Sequence, residues 1–84
     1  MNKVTFKDGF SFIHLIKEFY CREAILSTLK VYEDFFDSSF LELNTEYLIK
    51  VKKLNEDYSN EELIDEFLNY LISVEYESLN KNNK

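Results

Sequence analysis

The first residues of the chain alternate between hydrophobic and polar types in a way that predicts a β-hairpin. Asp8 and Gly9 interrupt the alternation and supply the two positive-φ positions that a tight type I′ turn requires. The second strand is predicted to cover about residues 11–19. Pairing across the turn places these apolar side chains on the side expected to face the core: Val4, Phe6, Ile13 and Leu15. The opposite side would carry Phe10, Phe12 and His14.

The next segment changes to helical spacing. Apolar side chains recur every three to four residues between Cys21 and Phe36, which predicts one helix with a broad buried face. The members of that face are Ala24, Ile25, Thr28, Leu29, Val31, Tyr32, Phe35 and Phe36. Leu26 lies outside the face, and the polar cluster at residues 37–39 is expected to end the helix.

Two further alternating segments predict a second β-hairpin. In the first of them, residues 40–44, Leu41 and Leu43 alternate with polar residues and are expected to form the buried side. In the second, one side consists of Tyr47, Ile49 and Val51. The other side consists of Leu48, Lys50 and Lys52, and it points away from the helices.

A helix start follows the second hairpin. Ser59 as the N-cap and Glu62 three residues later form a capping box, and the acidic residues of the first turns complement the positive helix end. The helix is predicted to extend from about Asn60 to Leu79. Residues 80–84 are predicted to be a disordered tail.

This order of elements, β(β)αββα, predicts an α+β fold with a single domain over residues 1–79. A right-handed crossover through the first helix, followed by an antiparallel hairpin, gives a two-layer sandwich. One layer is a small, mostly antiparallel sheet of three or four strands. The other layer is formed by the two helices, which lie on one face of the sheet.

The last helix has more apolar surface than its place on a sheet requires. Such a helix needs an apolar arc of about 100°, but the positions from Tyr70 round to Ile72 cover roughly 200° at about 100° per residue. The predicted core positions are Leu63, Phe67, Tyr70, Leu71 and Val74. Some of the excess would pack against the first helix. The candidate partner-binding residues that remain are Leu26, Leu68, Ile72 and Tyr76, and a homodimer mate or another protein would cover them.

The charge of the chain narrows the choice of partners. Its 84 residues have a formal net charge of −6 and are 45% hydrophobic, which indicates a folded acidic domain. Nucleic acid is excluded as the main ligand because phosphate binding requires clustered Lys and Arg. Lys50 and Lys52 belong to the only basic cluster. They either discourage aggregation of an exposed strand or bind an acidic, extended peptide that pairs with the sheet through main-chain hydrogen bonds.

Few residues are available for chemistry. Cys21 and His14 are the only cysteine and histidine, and they fall on different elements, so the sequence predicts no catalytic set, no metal site and no cofactor. His14 is expected on the sheet surface, and Cys21 is expected at a helix cap. The first residues lack the apolar run and cleavage site of a signal peptide, and every apolar stretch of the sequence is far shorter than the roughly 18 residues needed to span a bilayer. These features predict a cytoplasmic protein without membrane contact.

Several short motifs carry a family resemblance. They are Tyr20, Glu23-Ala24, Tyr32, Phe35, the predicted strand pair, and residues 66–69 followed by Leu71. Over residues 13–76 they resemble the HxsD-like family of His-Xaa-Ser peptide-maturation systems. The resemblance implies a non-enzymatic accessory protein encoded beside radical SAM enzymes that modify ribosomally made peptides. It also implies binding of a precursor peptide, of the modifying enzyme, or of both.

Two functions follow as hypotheses. In the first, the protein is an adaptor whose sheet receives the precursor peptide through Lys50 and Lys52, while the partner-binding residues contact the enzyme. In the second, it is an acidic inhibitor or antitoxin-like protein that blocks a basic, nucleic-acid-binding partner. The carboxylates that would imitate phosphates are Glu61, Glu62, Asp65 and Glu66.

Overall fold

A computed structural model describes the backbone of residues 2–82 and the side chains of residues 3–77. The fold is α+β, as predicted, with an antiparallel four-stranded sheet in the order β1-β2-β4-β3 and two helices. The elements are β1 (Asn2–Lys7), β2 (Phe10–Ile16), α1 (Arg22–Val31), β3 (Phe36–Glu42), β4 (Glu46–Lys53) and α2 (Asn60–Asn82).

The first hairpin has the predicted turn and register. Asp8 and Gly9 have φ values of 54° and 83°, the left-handed conformations that a type I′ turn needs at both central positions. Val4 pairs with Ile13, as predicted from the two-residue turn. Because side chains alternate along a strand, this register determines which residues of β1 and β2 face the helices.

The core lies between one face of the sheet and the two helices. Ile13, Leu15 and Ile49 supply fully buried side chains from the sheet, while Phe67 and Leu71 supply them from α2. Each such side chain contributes about 1.5–3 kcal/mol through its removal from water. The side of β4 predicted to be buried is therefore confirmed.

The predicted end of the first helix is wrong. Helix α1 ends at Val31, and Tyr32 is its C-cap rather than an interior residue. The N–H groups of Phe35 and Phe36 then donate to the carbonyl of Tyr32 in a tight turn. Phe36 thereby starts β3, where its buried ring packs against Phe67. The polar residues 37–39, expected to end the helix, are part of that strand.

The predicted buried side of β3 is also wrong. Phe36 and Phe40 face the core, and Phe40 pairs with the buried Ile49. Leu41 and Leu43, which were expected to be buried, are exposed. The ring of Phe40 stacks on Tyr47 with centroids 5.3 Å apart, and this contact belongs to the inner face. A short alternating segment fixes which residues share a side, but not which side is buried.

The second strand ends earlier than predicted, at Ile16. The N–H groups of Phe19 and Tyr20 both donate to the carbonyl of Ile16, which closes a turn where the strand had been expected to continue. Phe19 is exposed in this turn. The turn leads the chain off the sheet and into the helix layer.

The start of α2 has the predicted capping box. The N–H of Glu62 donates to Ser59 Oγ at 3.1 Å, and the N–H of Ser59 donates to Glu62 Oε1 at 3.2 Å. The helix extends to Asn82 rather than ending near Leu79, and residues 83–84 of the predicted tail lie outside the described residues. Among residues 2–82, no helix is long and apolar enough to cross a bilayer.

Candidate functional site

The sheet has one face that neither helix covers. The helices pack against the side that carries Ile13 and Ile49, so the alternate residues of each strand project from the opposite, open face. On β2 these are Phe10, Phe12, His14 and Ile16, all of which are half-buried. Phe10, Phe12 and Ile16 form an apolar stripe along the middle of the open face, next to Leu48 of β4, and His14 interrupts it.

Lys50 and Lys52 lie on this open face, as predicted. Both side chains are exposed, and they alternate with the buried Ile49 and Val51. Lys50 Nζ lies 4.2 Å from the ring centroid of Phe10, and Lys52 Nζ lies 5.8 Å from it. These cation–π contacts orient the two ammonium groups towards one aromatic ring.

A shallow depression of about 330 Å³ lies beside these lysines. Its lining includes Phe10, Asp37, Ser39, Lys50 and Lys52. One wall is therefore aromatic and the others are polar or charged. Such a depression can hold one or two side chains of an extended segment, but it does not enclose a small molecule as an enzyme pocket does.

The charge of the open face differs in sign from that of the whole chain, whose net charge is −6. Strand pairing places four lysines and two carboxylates on this face. The lysines are Lys3, Lys7, Lys50 and Lys52, and the carboxylates are Asp37 and Glu46. The excess of positive charge favours acidic ligands at this surface.

His14 and Cys21 lie in different layers of the fold. His14 is on the open face, where its Nδ1 lies 2.9 Å from Glu46 Oε1. Cys21 is the N-cap residue of α1, in the helix layer, and its side chain makes no capping hydrogen bond. Its backbone N–H instead donates to Glu75 Oε1 at 2.7 Å, which ties the start of α1 to α2. The structure therefore does not bring the histidine and the cysteine together.

The candidate partner-binding residues differ in how much of each side chain is exposed. Leu68 is half-buried and packs against the core, so part of its apolar surface is already covered. Ile72 and Tyr76 are 52% and 65% exposed and lie one helical turn apart on α2. Leu26, on α1, is 36% exposed. Tyr70, predicted as a core residue, is 41% exposed, and this part of the prediction is wrong.

An aromatic cluster where the C-terminal end of α1 packs against α2 was not predicted as a unit. The ring of Tyr32 has its centroid 5.9 Å from each of four other rings: Phe35, Phe36, Phe67 and Tyr70. Tyr58 extends the cluster through an edge contact with Phe35 at 6.3 Å. The sequence signal was the density of aromatic residues near residue 35, which was interpreted as a continuation of the helix.

Among the described side chains, two ionisable groups have shifted pKa values. Burial raises the pKa of the Tyr32 hydroxyl, and the nearby Glu66 carboxylate and Tyr70 raise it further. The ammonium of Lys17 donates to Glu42 Oε2 at 2.7 Å, and this bond and its charge lower the pKa of that carboxyl. Neither group lies on the open face. Their pKa shifts follow from local packing and ion pairing, and they do not indicate a proton-transfer site.

Comparisons with protein-family models, with curated proteins and with solved structures find no match to this chain. Within the described residues, no three His, Cys, Asp or Glu side chains form a group that could hold a metal ion. The arguments about function below therefore depend on the surfaces of the molecule.

Proposed function

We propose that this protein is a non-catalytic adaptor that binds an acidic, extended peptide on the open face of its sheet. The observation that carries the proposal is the combination of the half-buried apolar stripe with exposed lysines on a face that neither helix covers. Apolar side chains of a peptide would cover Phe10 and Phe12, and its carboxylates would pair with Lys50 and Lys52. Both kinds of contact are available to one extended segment.

The position of β4 determines how such a peptide would bind. Because β4 lies between β2 and β3, its main-chain groups are already used in the sheet, and a peptide cannot pair with it as an added strand. A segment held by Lys50 and Lys52 would therefore lie across the face and bind mainly through side chains. The main-chain hydrogen bonding to a peptide that the sequence analysis considered is possible only at the edge strands, β1 and β3.

The setting we propose is the maturation of ribosomally made peptides, in line with the resemblance of the chain to the HxsD-like family. The peptide would be the precursor, and the second partner would be its radical SAM modifying enzyme. The enzyme would contact Ile72, Tyr76 and the exposed part of Leu68 on α2. Leu26 on α1 would lie at the edge of this contact surface. These exposed apolar side chains lie in the helix layer, so both partners could bind at once.

A titration of the isotope-labelled protein with a synthetic acidic peptide tests the binding surface. Backbone amide shifts should concentrate on β2 and β4, and Lys50→Ala should weaken binding by up to about fivefold, the upper range for an exposed ion pair. Lys30→Ala is the matched control, because Lys30 is an exposed lysine on α1. If both variants weaken binding equally, net charge alone explains the interaction and the proposed site is wrong.

A second titration, with the modifying enzyme encoded beside this chain, tests the adaptor role. Ile72→Asp should abolish binding, because a carboxylate would be buried without a partner in the interface. Glu77→Ala, which changes an exposed residue of the same helix, should leave binding unchanged. Failure of the unmodified protein to bind either the enzyme or the precursor would refute the adaptor role.

An acidic inhibitor of a basic partner is the second candidate function. It is favoured by one observation: four carboxylates near the start of α2 are exposed, namely Glu61, Glu62, Asp65 and Glu66. In this function binding would be strongly salt-dependent and would disappear when these four residues are replaced by their amides. Ile72→Asp would have little effect, whereas it would abolish enzyme binding by the adaptor.

A further inference from the structure

One surface of the helix layer exposes aromatic rings that no other part of the described structure covers. We call it the aromatic patch and define it by Tyr32, Phe35, Tyr58 and Tyr70. Phe35, Tyr58 and Tyr70 are 38%, 40% and 41% exposed, respectively. The half-buried Tyr32 joins them, with ring contacts to both Phe35 and Tyr70. The patch is therefore continuous from the loop before α2 to about the third turn of that helix.

The rings of the patch are held in place from below. Tyr32 stacks on the buried Phe36 with an interplanar angle of 4°, and its hydroxyl donates to the carbonyl of Glu66 at 3.3 Å. The N–H of Leu54 donates to the carbonyl of Phe35 at 2.9 Å, which fixes the loop that carries Tyr58. A partner would meet preorganised aromatic surfaces and would lose little binding energy in ordering them.

The chain segments that form and flank the patch are strongly acidic. Residues 31–35, 54–58 and 61–70 contain eight Asp and Glu residues and no Lys or Arg, which is half of the sixteen acidic residues in the chain. Two lysines border these segments: Lys30 is exposed at the end of α1, whereas Lys53 is already engaged. Its ammonium donates to the carbonyl of Tyr58 at 2.8 Å and lies 3.6 Å from Glu56. Ligands with positive charge are therefore favoured at this surface.

One of these eight carboxylates, Glu66, acts directly on a hydroxyl of the patch. The Glu66 carboxylate is one of the groups that raise the pKa of the Tyr32 hydroxyl, after burial itself. A negative charge that acts on a hydroxyl within the patch also acts on a cation placed over the neighbouring rings. Tyr and Phe faces attract cations through the ring quadrupole, so the aromatic and electrostatic contributions have the same sign.

We propose that the aromatic patch binds a basic, amphipathic segment of a partner protein, with arginine or lysine side chains placed over the rings of Tyr58 and Tyr70. The apolar side chains of the segment would cover Phe35, and the flanking carboxylates would pair with its charges. Arginine fits this surface best because its planar guanidinium stacks on rings and pairs with carboxylates at the same time. The patch is thus a third binding surface, in addition to the Ile72 and Tyr76 surface of α2, and it is opposite in charge to the open sheet face.

The test uses the full chain, isotope-labelled, and a synthetic amphipathic peptide with alternating arginine and leucine residues. Amide shifts should concentrate on the patch, and Tyr58→Ala and Tyr70→Ala should each weaken binding by up to about fivefold, the effect of one exposed cation–π contact. Tyr70→Leu keeps an apolar side chain at this position and should weaken binding similarly. Phe19→Ala is the control, because Phe19 is an exposed aromatic residue outside the patch.

Three outcomes would overturn the proposal. The first is equal weakening by Phe19→Ala and by the patch variants, and the second is a set of shifts spread over all acidic segments without any effect of the tyrosine variants. The third is a concentration-dependent shift at the patch without peptide, which would make a second copy of this chain the occupant. Lys50→Ala should leave this interaction unchanged, so failure here is distinguishable from failure of the acidic-peptide site.

Discussion

Replacement of Tyr32 is the sharpest test of how the helix layer is held together. Its ring contacts four other aromatic rings, two of which, Phe36 and Phe67, belong to the buried core. Tyr32→Ala removes all of these contacts, whereas Tyr32→Phe keeps the ring and removes only the hydroxyl. The pair of variants therefore separates ring packing from hydrogen bonding.

The structure allows the two effects to be estimated. Aromatic pairs contribute about 0.5–1.5 kcal/mol each beyond burial, and the four pairs share one ring and are not additive. Because Tyr32 is only half-buried, we expect about 2–3 kcal/mol for Tyr32→Ala, below the range for a fully buried ring. The hydroxyl bond to Glu66 is long at 3.3 Å and exposed, so Tyr32→Phe should cost about 0.5 kcal/mol or less.

Urea unfolding followed by circular dichroism measures both values. A chain of 84 residues has a total stability of about 4–12 kcal/mol, so Tyr32→Ala should remove a large part of it and lower the melting temperature by roughly 10–20 °C. Equal destabilisation by Tyr32→Phe would mean that the hydroxyl, rather than the ring, is decisive. A loss below about 0.5 kcal/mol for Tyr32→Ala would refute the central role of the ring.

The decrease in the free energy of unfolding at alkaline pH gives a second measurement for Tyr32. The folded-state pKa of Tyr32 is raised above the ordinary value of 10.0. Its contribution to stability is therefore present below about pH 10 and is lost as the pH rises through the folded-state pKa. Tyr32→Phe should make the free energy of unfolding fall less steeply in this range than it does in the unmodified protein.

Three further predictions concern local features. Cys21→Ser should raise the free energy of unfolding by about 0.5–1 kcal/mol, because the extended N-cap lacks a side-chain capping bond that serine can make. An unchanged midpoint in urea unfolding would contradict this. Ser59→Ala should cost about 1 kcal/mol through loss of the capping box, whereas the control Ser73→Ala, within the same helix, should change stability by less than about 0.5 kcal/mol. The bond from Lys17 lowers the pKa of Glu42 below 4.5. The contribution of this ion pair to stability is therefore present above about pH 4.5 and is lost as the pH falls through the folded-state pKa of Glu42. Glu42→Gln should make the free energy of unfolding fall less steeply with decreasing pH in this range.

The candidate surfaces were only partly predictable. The exposure of Lys50 on the open face followed from the alternation of β4, because a strand with one buried side must expose the other. That β4 is an inner strand did not follow, since strand order depends on contacts between distant segments. The aromatic patch was missed because Tyr58 and Tyr70 come next to Tyr32 and Phe35 only after α2 has packed beside α1.

The sequence by itself determined the features that depend on near neighbours along the chain. The Asp8-Gly9 turn and the capping box at Ser59 were predicted correctly, because backbone conformation and hydrogen bonds over three or four residues decide them. Only the tertiary structure decided where α1 ends and which side of β3 is buried. At Phe36 the helical pattern and the strand were both possible locally, and burial against Phe67 of α2 selected the strand, since removal of a large ring from water outweighs weak local propensity.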